Sequence, residues 1–281
     1  MKRIISAFRS LVLLTCLLLS SGTFAKKDLV KIAVEIEAEG KMLYCLEQAS
    51  WHGTDLFMEK YTYSDNIGGY FSYIDQDTPK CIFISKTSIP EVIGTIIFNK
   101  DFDLQQAKVI MSGRALTSTE QDIFELRKAA IHAIETEAFE MHYFNNTNPN
   151  IIPVIQGKER KVYILTGPKN PGVVIFGNDY LLNFDEKNVF KSAKQLHQNI
   201  IPVEYEEGVV TTISAHNHNP ETGDFMTATD ICTLMLYGDI AGWKQHYVIS
   251  KKYFNIWNVE NRKLLILPKE MMNKILKDID K

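Results

Sequence analysis

Residues 208–238 read GVVTTISAHNHNPETGDFMTATDICTLMLYG, and this stretch decides how the second half of the chain folds. The residues before Asn219 are typical of a β-strand, in which side chains two residues apart lie on the same face. One face of that strand carries Val210, Thr212, Ser214, His216 and His218. A polar turn follows, and then a helical run that begins near Asp230 and ends at Gly238. The stretch therefore predicts a strand, a turn and a helix, with both histidines pointing the same way.

The two histidines and the aspartate have the chemistry of metal ligands. A zinc ion that activates water takes three imidazole or carboxylate ligands and keeps a fourth position open. His216 and His218 supply two such ligands from one strand face, and Asp230 begins a helix that can return over them. These three residues are the predicted metal ligands, with zinc as the predicted ion.

A His-x-His pair, a short linker and Ser/Thr-x-x-Asp together resemble the metal motif of the JAB/MPN (JAMM) family, which includes RadC-like and bacterial toxin-type JAB domains. In this chain the pattern is His216-Asn217-His218 followed by Thr227-Ala228-Thr229-Asp230. The resemblance covers roughly residues 117–262. It implies a mixed α/β domain with a mainly antiparallel sheet, and zinc-dependent hydrolysis of an amide or isopeptide bond. It also implies that Thr227, standing where the family has serine, stabilises the oxyanion.

The chain departs from the family pattern in two respects. Asn219 separates His218 from Pro220, where the family writes His-x-His-Pro. The family also places a glutamate upstream as the base that takes a proton from metal-bound water. Three upstream glutamates are candidates, but the residues around them do not favour any one of the three: Glu137, Glu140 and Glu159. The general base is therefore unassigned.

A reading without metal also accounts for these residues. Thr227-x-x-Asp230 is an ordinary helix capping box, and His-Asn-His-Asn can form a polar turn. The second functional hypothesis is accordingly a catalytically inactive scaffold or binding protein with a JAB-like fold. Its partner, a peptide or protein, would contact the aromatic residues of the first half: Trp51, Tyr61, Tyr63, Tyr70, Phe71 and Tyr73. A glutamate within reach of the metal would favour the enzyme over the scaffold.

The chain as a whole predicts an α+β protein in three parts. Residues 1–25 resemble a secretory leader, with Lys2 and Arg3 before an apolar stretch and a small-residue cleavage site ending at Ala25. Residues 26–116 form a β-rich region of unknown role, in which the alternation of Val30, Ile32, Val34 and Ile36 predicts a first strand within residues 29–49. Residues 117–281 form the JAB-like domain with a C-terminal helix that begins near Pro268.

Within the JAB-like domain, Thr117-x-x-Glu120 is a capping box that predicts a helix. After it, NNTNPN at residues 145–150 predicts a loop, and the runs from residue 161 to residue 197 predict an antiparallel meander. Two further strands are expected after Gly238.

Charge and cysteine content bear on location and partners. The formal net charge is −3, and no basic stripe is present, so nucleic-acid binding is not expected. The leader predicts export to the periplasm or the extracellular space, without a transmembrane segment. There Cys45 and Cys81 could pair, or both could stay reduced together with Cys232. Nothing in the sequence indicates an oligomeric state.

Overall fold

The computed structural model describes residues 23–206 and 208–279, so most of the predicted leader lies outside the described residues. The described ranges contain four α-helices and 14 strands, most of them in antiparallel sheets, which confirms the α+β fold class. No helix among them is both long enough and apolar enough to span a membrane.

The first element is a long helix, α1 (Thr23–Met58), so the strand predicted within residues 29–49 is wrong. The apparent alternation came from Val30 and Val34, which are exposed at 59% and 55%. The buried residues recur at helical spacing: Ala33, Leu43, Leu46, Ala49 and Phe57. Two β-branched residues on the solvent face therefore imitated the period of a strand.

The end of α1 packs on an antiparallel sheet in the order β1 (Ile67–Asp75), β2 (Thr78–Ser85), β3 (Val92–Ile97) and β4 (Lys108–Ile110). The turn between β1 and β2 has positive φ angles at Gln76 and Asp77, as a two-residue hairpin turn requires. Phe57 of α1 stacks on Phe83 of β2 with ring centroids 3.8 Å apart. Strands β1 to β4 all lie within residues 26–116, the region that the sequence predicts to be rich in β-structure.

Helix α2 (Ser118–Glu135) begins at the capping box of Thr117 and Glu120, as predicted. It packs on a second antiparallel sheet in the order β5 (Thr147–Gln156), β6 (Glu159–Pro168), β8 (Tyr180–Phe184) and β9 (Phe190–Gln195). Strand β5 takes in most of NNTNPN, so the loop predicted there is wrong from residue 147 onward.

Strand β7 (Val173–Gly177) leaves this sheet and pairs with β10 (Ile200–Glu204), so the single continuous meander is also wrong. The cause lies at Gly177 and Asn178, whose positive φ angles turn the chain out of the sheet. A side chain at Gly177 would collide with the carbonyl of Asn199, so only glycine permits β10 to approach here.

The last sheet has the order β11 (Thr211–Asn217), β12 (Trp243–Ile249), β13 (Tyr253–Asn258) and β14 (Lys263–Pro268). Strands β11 and β12 are parallel and are joined through α3 (Ala228–Tyr237), while the remaining pairs are antiparallel. Helix α4 (Lys269–Ile279) follows β14, where the C-terminal helix was predicted. This strand, helix and strand arrangement brings the end of β11 close to the start of α3.

Helix α1 packs closely on α3. A Cβ added at Gly40 would lie 2.5 Å from the Cβ of Ile231, so a side chain at position 40 would force the two helices apart. The largest hydrophobic core includes residues of both helices and of the strands they cover, among them Ala33, Phe176, Ile231, Trp243 and Trp257.

All three described cysteines are free thiols, so the pairing of Cys45 with Cys81 that the sequence left open is not formed. Of the aromatic residues of the first half, Phe71 and Tyr73 belong to the core. Trp51, Tyr63 and Tyr70 are exposed.

Candidate metal centre

Four buried side chains converge at the end of β11: His197, His216, His218 and Asp230. His216 is on β11, and His218 follows directly after that strand. Asp230 lies in the first turn of α3, and His197 lies in the loop between β9 and β10. This group could hold a metal ion, because each member offers one nitrogen or oxygen atom and these atoms all lie within 4.8 Å of one another.

Most of the contacts within the group are close to the spacing of a tetrahedral site. The Nε2 atom of His218 lies 3.1 Å from the Nε2 atoms of both His197 and His216. Asp230 Oδ1 lies 3.4 Å from His197 Nε2 and 3.6 Å from His216 Nε2, and Asp230 Oδ2 lies 3.4 Å from His218 Nε2. Ligand bonds of about 2.0–2.1 Å at the tetrahedral angle require ligand atoms about 3.3 Å apart. These five contacts therefore lie near the distances that a four-coordinate ion needs, and all four ligand atoms lie within 4.8 Å of one another.

Several polar atoms of the group are buried without a hydrogen-bond partner among the described residues. They are Asp230 Oδ1, His197 Nδ1 and His218 Nδ1. The four side chains are between 0% and 6% exposed, so bulk water does not reach them. An unpaired buried polar atom carries a desolvation cost of about 1–3 kcal/mol. A cation between the four side chains would satisfy Asp230 Oδ1, which points toward the histidines.

The capping box of α3 fixes the orientation of Asp230. Thr227 is the N-cap residue, and its hydroxyl oxygen accepts a hydrogen bond from the Asp230 backbone N–H at 3.0 Å. In return, Asp230 Oδ2 accepts from the Thr227 backbone N–H and hydroxyl, both at 2.8 Å. The capping box and a metal ion are therefore compatible, because Oδ2 completes the box while Oδ1 has no hydrogen-bond partner in the described part of the chain and faces His197 and His216. The oxyanion role of Thr227 stays a prediction, since the structure places its hydroxyl on Asp230.

Two of the histidines are supported by a second layer of polar groups. Asp179, in the turn between β7 and β8, places a carboxylate oxygen 3.4 Å from His197 Nδ1. His246 of β12 places Nε2 2.8 Å from His216 Nδ1, and its own Nδ1 lies 2.7 Å from the Ser214 hydroxyl. Carboxylates and hydrogen-bond acceptors in this position orient metal-binding imidazoles and raise their basicity.

When no ion is bound, the pKa shifts indicate a charged pair, His197 and Asp230, beside the neutral imidazoles of His216 and His246. Burial disfavours the charged form of His197, but Asp230 and Asp179 outweigh it and raise the pKa of His197 to about 10. Burial lowers the pKa of His216 to about 4 and that of His246 to about 3. Burial also opposes ionisation of Asp230, yet the nearby charge of His197 and the close contacts of the other histidines hold the pKa of Asp230 well below its ordinary value. The metal-free site therefore already contains a carboxylate at Asp230 and a neutral imidazole at His216, and a proton on His197 takes the place of a cation.

The structure brings together all three predicted ligands, His216, His218 and Asp230. It also adds a fourth, His197, which the sequence reasoning missed. His197 is on the other side of β10 in the sequence, and no local spacing connects it to the motif. A compositional signal was present: the four histidines beyond residue 190 are all buried in this cluster or beside it.

The three glutamates considered as a general base lie elsewhere. Glu137, Glu140 and Glu159 are all exposed, and none belongs to the cluster. Within residues 23–206 and 208–279, the acidic groups closest to the histidines are those of Asp230 and Asp179. The cluster contains no glutamate among its four described members, so the structure selects none of the three candidates as a general base.

Comparison of the chain with protein-family models, with curated proteins and with solved structures gives no match.

Proposed function

We propose that this chain is a zinc-binding protein in which His197, His216, His218 and Asp230 hold the ion in a closed, structural centre. In this proposal the protein is a JAB-like scaffold or binding protein rather than a hydrolase. The observation that carries it is the position of His197, which supplies a fourth protein ligand where a catalytic site keeps a place for water.

The ligand set and its charge favour a divalent ion such as zinc. Three imidazoles and one carboxylate in a tetrahedron suit zinc, whereas magnesium and calcium prefer six or more oxygen ligands. The carboxylates of Asp230 and Asp179 together carry two negative charges beside the site, which a divalent cation neutralises. In a buried site this balance matters, because an uncompensated charge there is costly.

Two observations weigh against hydrolysis. His197 Nε2 lies 3.1 Å from His218 Nε2 and 3.4 Å from Asp230 Oδ1, so it takes the space that a reacting water would need. The glutamates proposed as general base lie on the surface. The resemblance to JAB domains is supported by the strand, helix and strand arrangement of β11, α3 and β12.

The proposed zinc centre is tested on the protein purified without a histidine tag. We expect about one zinc per chain by mass spectrometry, and its loss in a His216→Ala/His218→Ala variant. Replacement of zinc by cobalt should give the intense visible absorption of a four-coordinate ion. Added azide should leave that absorption unchanged in the wild-type protein, because no coordination position is open.

The matched variant is His197→Ala, which removes only the ligand that closes the site. We expect azide to change the cobalt spectrum of this variant. An azide-sensitive spectrum in the wild-type protein would show an open site and would favour the hydrolase. Failure of the wild-type protein to take up zinc or cobalt would overturn the metal centre.

A scaffold protein binds a partner, and we propose that this partner contacts the exposed aromatic residues in the first half of the chain. Trp51 (43% exposed), Tyr63 (74%) and Tyr70 (37%) present large apolar surface of the kind enriched in binding sites. A peptide or protein partner that is captured by the wild-type chain should be lost on alanine substitution of these three residues. It should be retained on substitution of Tyr143, which is exposed but lies in the loop after α2. Export remains a prediction that cell fractionation tests.

A further inference from the structure

We infer that His246, held in place by Ser214, is a positioning residue that fixes the tautomer and ring orientation of the metal ligand His216. This inference rests on the proposed metal centre and adds to it a buried group outside the four ligands. The chain of contacts runs from the Ser214 hydroxyl to His246 at 2.7 Å, and from His246 to His216 at 2.8 Å.

The geometry determines where each proton of this chain lies. If His216 binds the ion through Nε2, that nitrogen carries no proton, and the proton of the neutral ring is on Nδ1. This Nδ1–H faces His246 Nε2, which must therefore accept. The proton of His246 is then on its own Nδ1, from which it is donated to the Ser214 oxygen. A metal on one end of the chain thus determines the tautomers of both imidazoles.

Aromatic packing holds the ring of His246 in the required plane. The ring stacks on Phe176 with centroids 4.8 Å apart and on Trp243 with centroids 5.7 Å apart. The His246 residue is 0% exposed. Phe176 also contacts His216, with centroids 5.0 Å apart. A packed ring with a single acceptor nitrogen facing His216 restricts the rotation of that ligand, which lowers the entropy lost when the ion binds.

The experiment measures zinc affinity by competition with a chromophoric chelator, together with the cobalt spectrum. His246→Phe keeps an aromatic ring in contact with Phe176 and Trp243 but removes the acceptor. We expect it to weaken zinc binding on the order of 10–100-fold and to shift the cobalt bands. His246→Gln, whose amide oxygen can accept, should recover part of this loss. Ser214→Ala should weaken zinc binding less than His246→Phe does, because it removes the hydrogen bond that holds His246 but leaves the contact between His246 and His216. His132→Phe, at an exposed histidine of α2, is the matched control and should bind as the wild type does.

A measurement on the wild-type protein does not depend on whether a variant folds. Two-bond ¹H–¹⁵N NMR correlations of the zinc-loaded protein report the tautomer of each histidine. We expect protons on Nδ1 of both His216 and His246. A proton on His246 Nε2 would overturn the inference, as would a His246→Phe variant with wild-type affinity and an unchanged cobalt spectrum. In both cases the metal centre itself would stand. If the wild-type protein binds no zinc, the proposed function fails first and this inference fails with it.

Discussion

Helices α2 and α3 both begin with a capping box, but the acidic residue of each box has different partners. Each begins with a threonine whose side chain accepts from the backbone N–H three residues on, and with an acid that bonds back to that threonine's N–H. At α2 the acid is Glu120, which accepts hydrogen bonds from Nη1 and Nη2 of Arg114 at 2.6 Å and from the Tyr73 hydroxyl at 2.7 Å. At α3 the acid is Asp230, which faces three histidines and has one oxygen without a hydrogen-bond partner.

The difference shows what a capping box leaves undecided. The box satisfies one carboxylate oxygen and leaves the other to the tertiary structure. For Glu120 the fold supplies Arg114, so the negative charge of this carboxylate is compensated by another side chain of the protein. For Asp230 it supplies histidines, and the compensating charge is a proton on His197 or, in the proposed centre, a metal ion. The start of α2 is therefore neutralised by an arginine, whereas the start of α3 could hold a cation.

The largest expected difference between the two helix starts comes from removing the ion of the proposed metal centre, which should lower the stability of the folded state. At a free zinc concentration about 1,000 times the dissociation constant, binding stabilises the folded state by about 4 kcal/mol. A chelator should therefore lower the melting temperature of the wild-type protein strongly. Hydrogen exchange should accelerate at the Asp230 amide and not at the Glu120 amide. Equal acceleration at both helix starts would show that the two sites do not differ in this way.

The next effect comes from removing the charge of Glu120. Burial opposes ionisation of this residue, but the bonds from Arg114, Thr117 and Tyr73 outweigh it and lower its pKa from the ordinary 4.5 to about 2. A lowered pKa contributes stability above pH 4.5, and this is lost as the pH falls toward 2. Glu120→Gln should cost about 3 kcal/mol at pH 7 and progressively less in acid. Urea unfolding across this pH range measures it, and the cost should be the same with and without chelator.

A third buried acid, Glu47 of α1, has no arginine and no histidine among its hydrogen bonds. Its partner is the Asn150 amide at 2.8 Å, and burial raises its pKa to about 7. A raised pKa in an acid means that stability present below pH 4.5 is lost as the pH rises toward 7. Glu47→Gln should therefore stabilise the protein by about 2–3 kcal/mol at pH 8 and by very little at pH 4. Stabilisation that does not vary with pH would contradict this account of Glu47.

The smallest effect comes from the caps themselves. Thr117→Ala and Thr227→Ala each remove an N-cap oxygen, which costs about 1 kcal/mol. Only Thr227→Ala also removes a hydroxyl from a metal ligand, so only this variant should weaken zinc binding. Unfolding experiments with and without zinc compare the two. If both variants lose the same stability under both conditions, the hydroxyl of Thr227 supports the helix alone.

The parts of the fold that the sequence predicts are those decided by neighbouring residues. Both capping boxes act over three residues, and the shared face of Ser214, His216 and His218 follows from the period of a strand. Helix α1 was misassigned because Val30 and Val34 are β-branched, and their exposure depends on which face the rest of the protein covers. Strand β7 was misplaced because its pairing with β10 joins segments separated by β8 and β9.

The candidate site follows the same division. Three of its ligands are within one short stretch and could be identified from their spacing. His197 and its partner Asp179 reach the site only after β7, β8, β9 and β10 have been arranged. His246 reaches it through the parallel pairing of β12 with β11, where it lies opposite Ser214. His197, on which the proposal of a closed metal centre depends, is the residue that sequence spacing could not identify.

The contact between Gly40 and Ile231 joins α1 to the helix that carries Asp230. Ile231 is the residue after Asp230, and the absent side chain at Gly40 lets the backbone of α1 lie directly against it. The same helix meets the first sheet at Gly53, whose missing side chain leaves room for Cys81. Helix α1 therefore contacts both α3 and the first sheet at positions where only glycine fits. A larger residue at position 40 would displace the first turn of α3, and Asp230 with it.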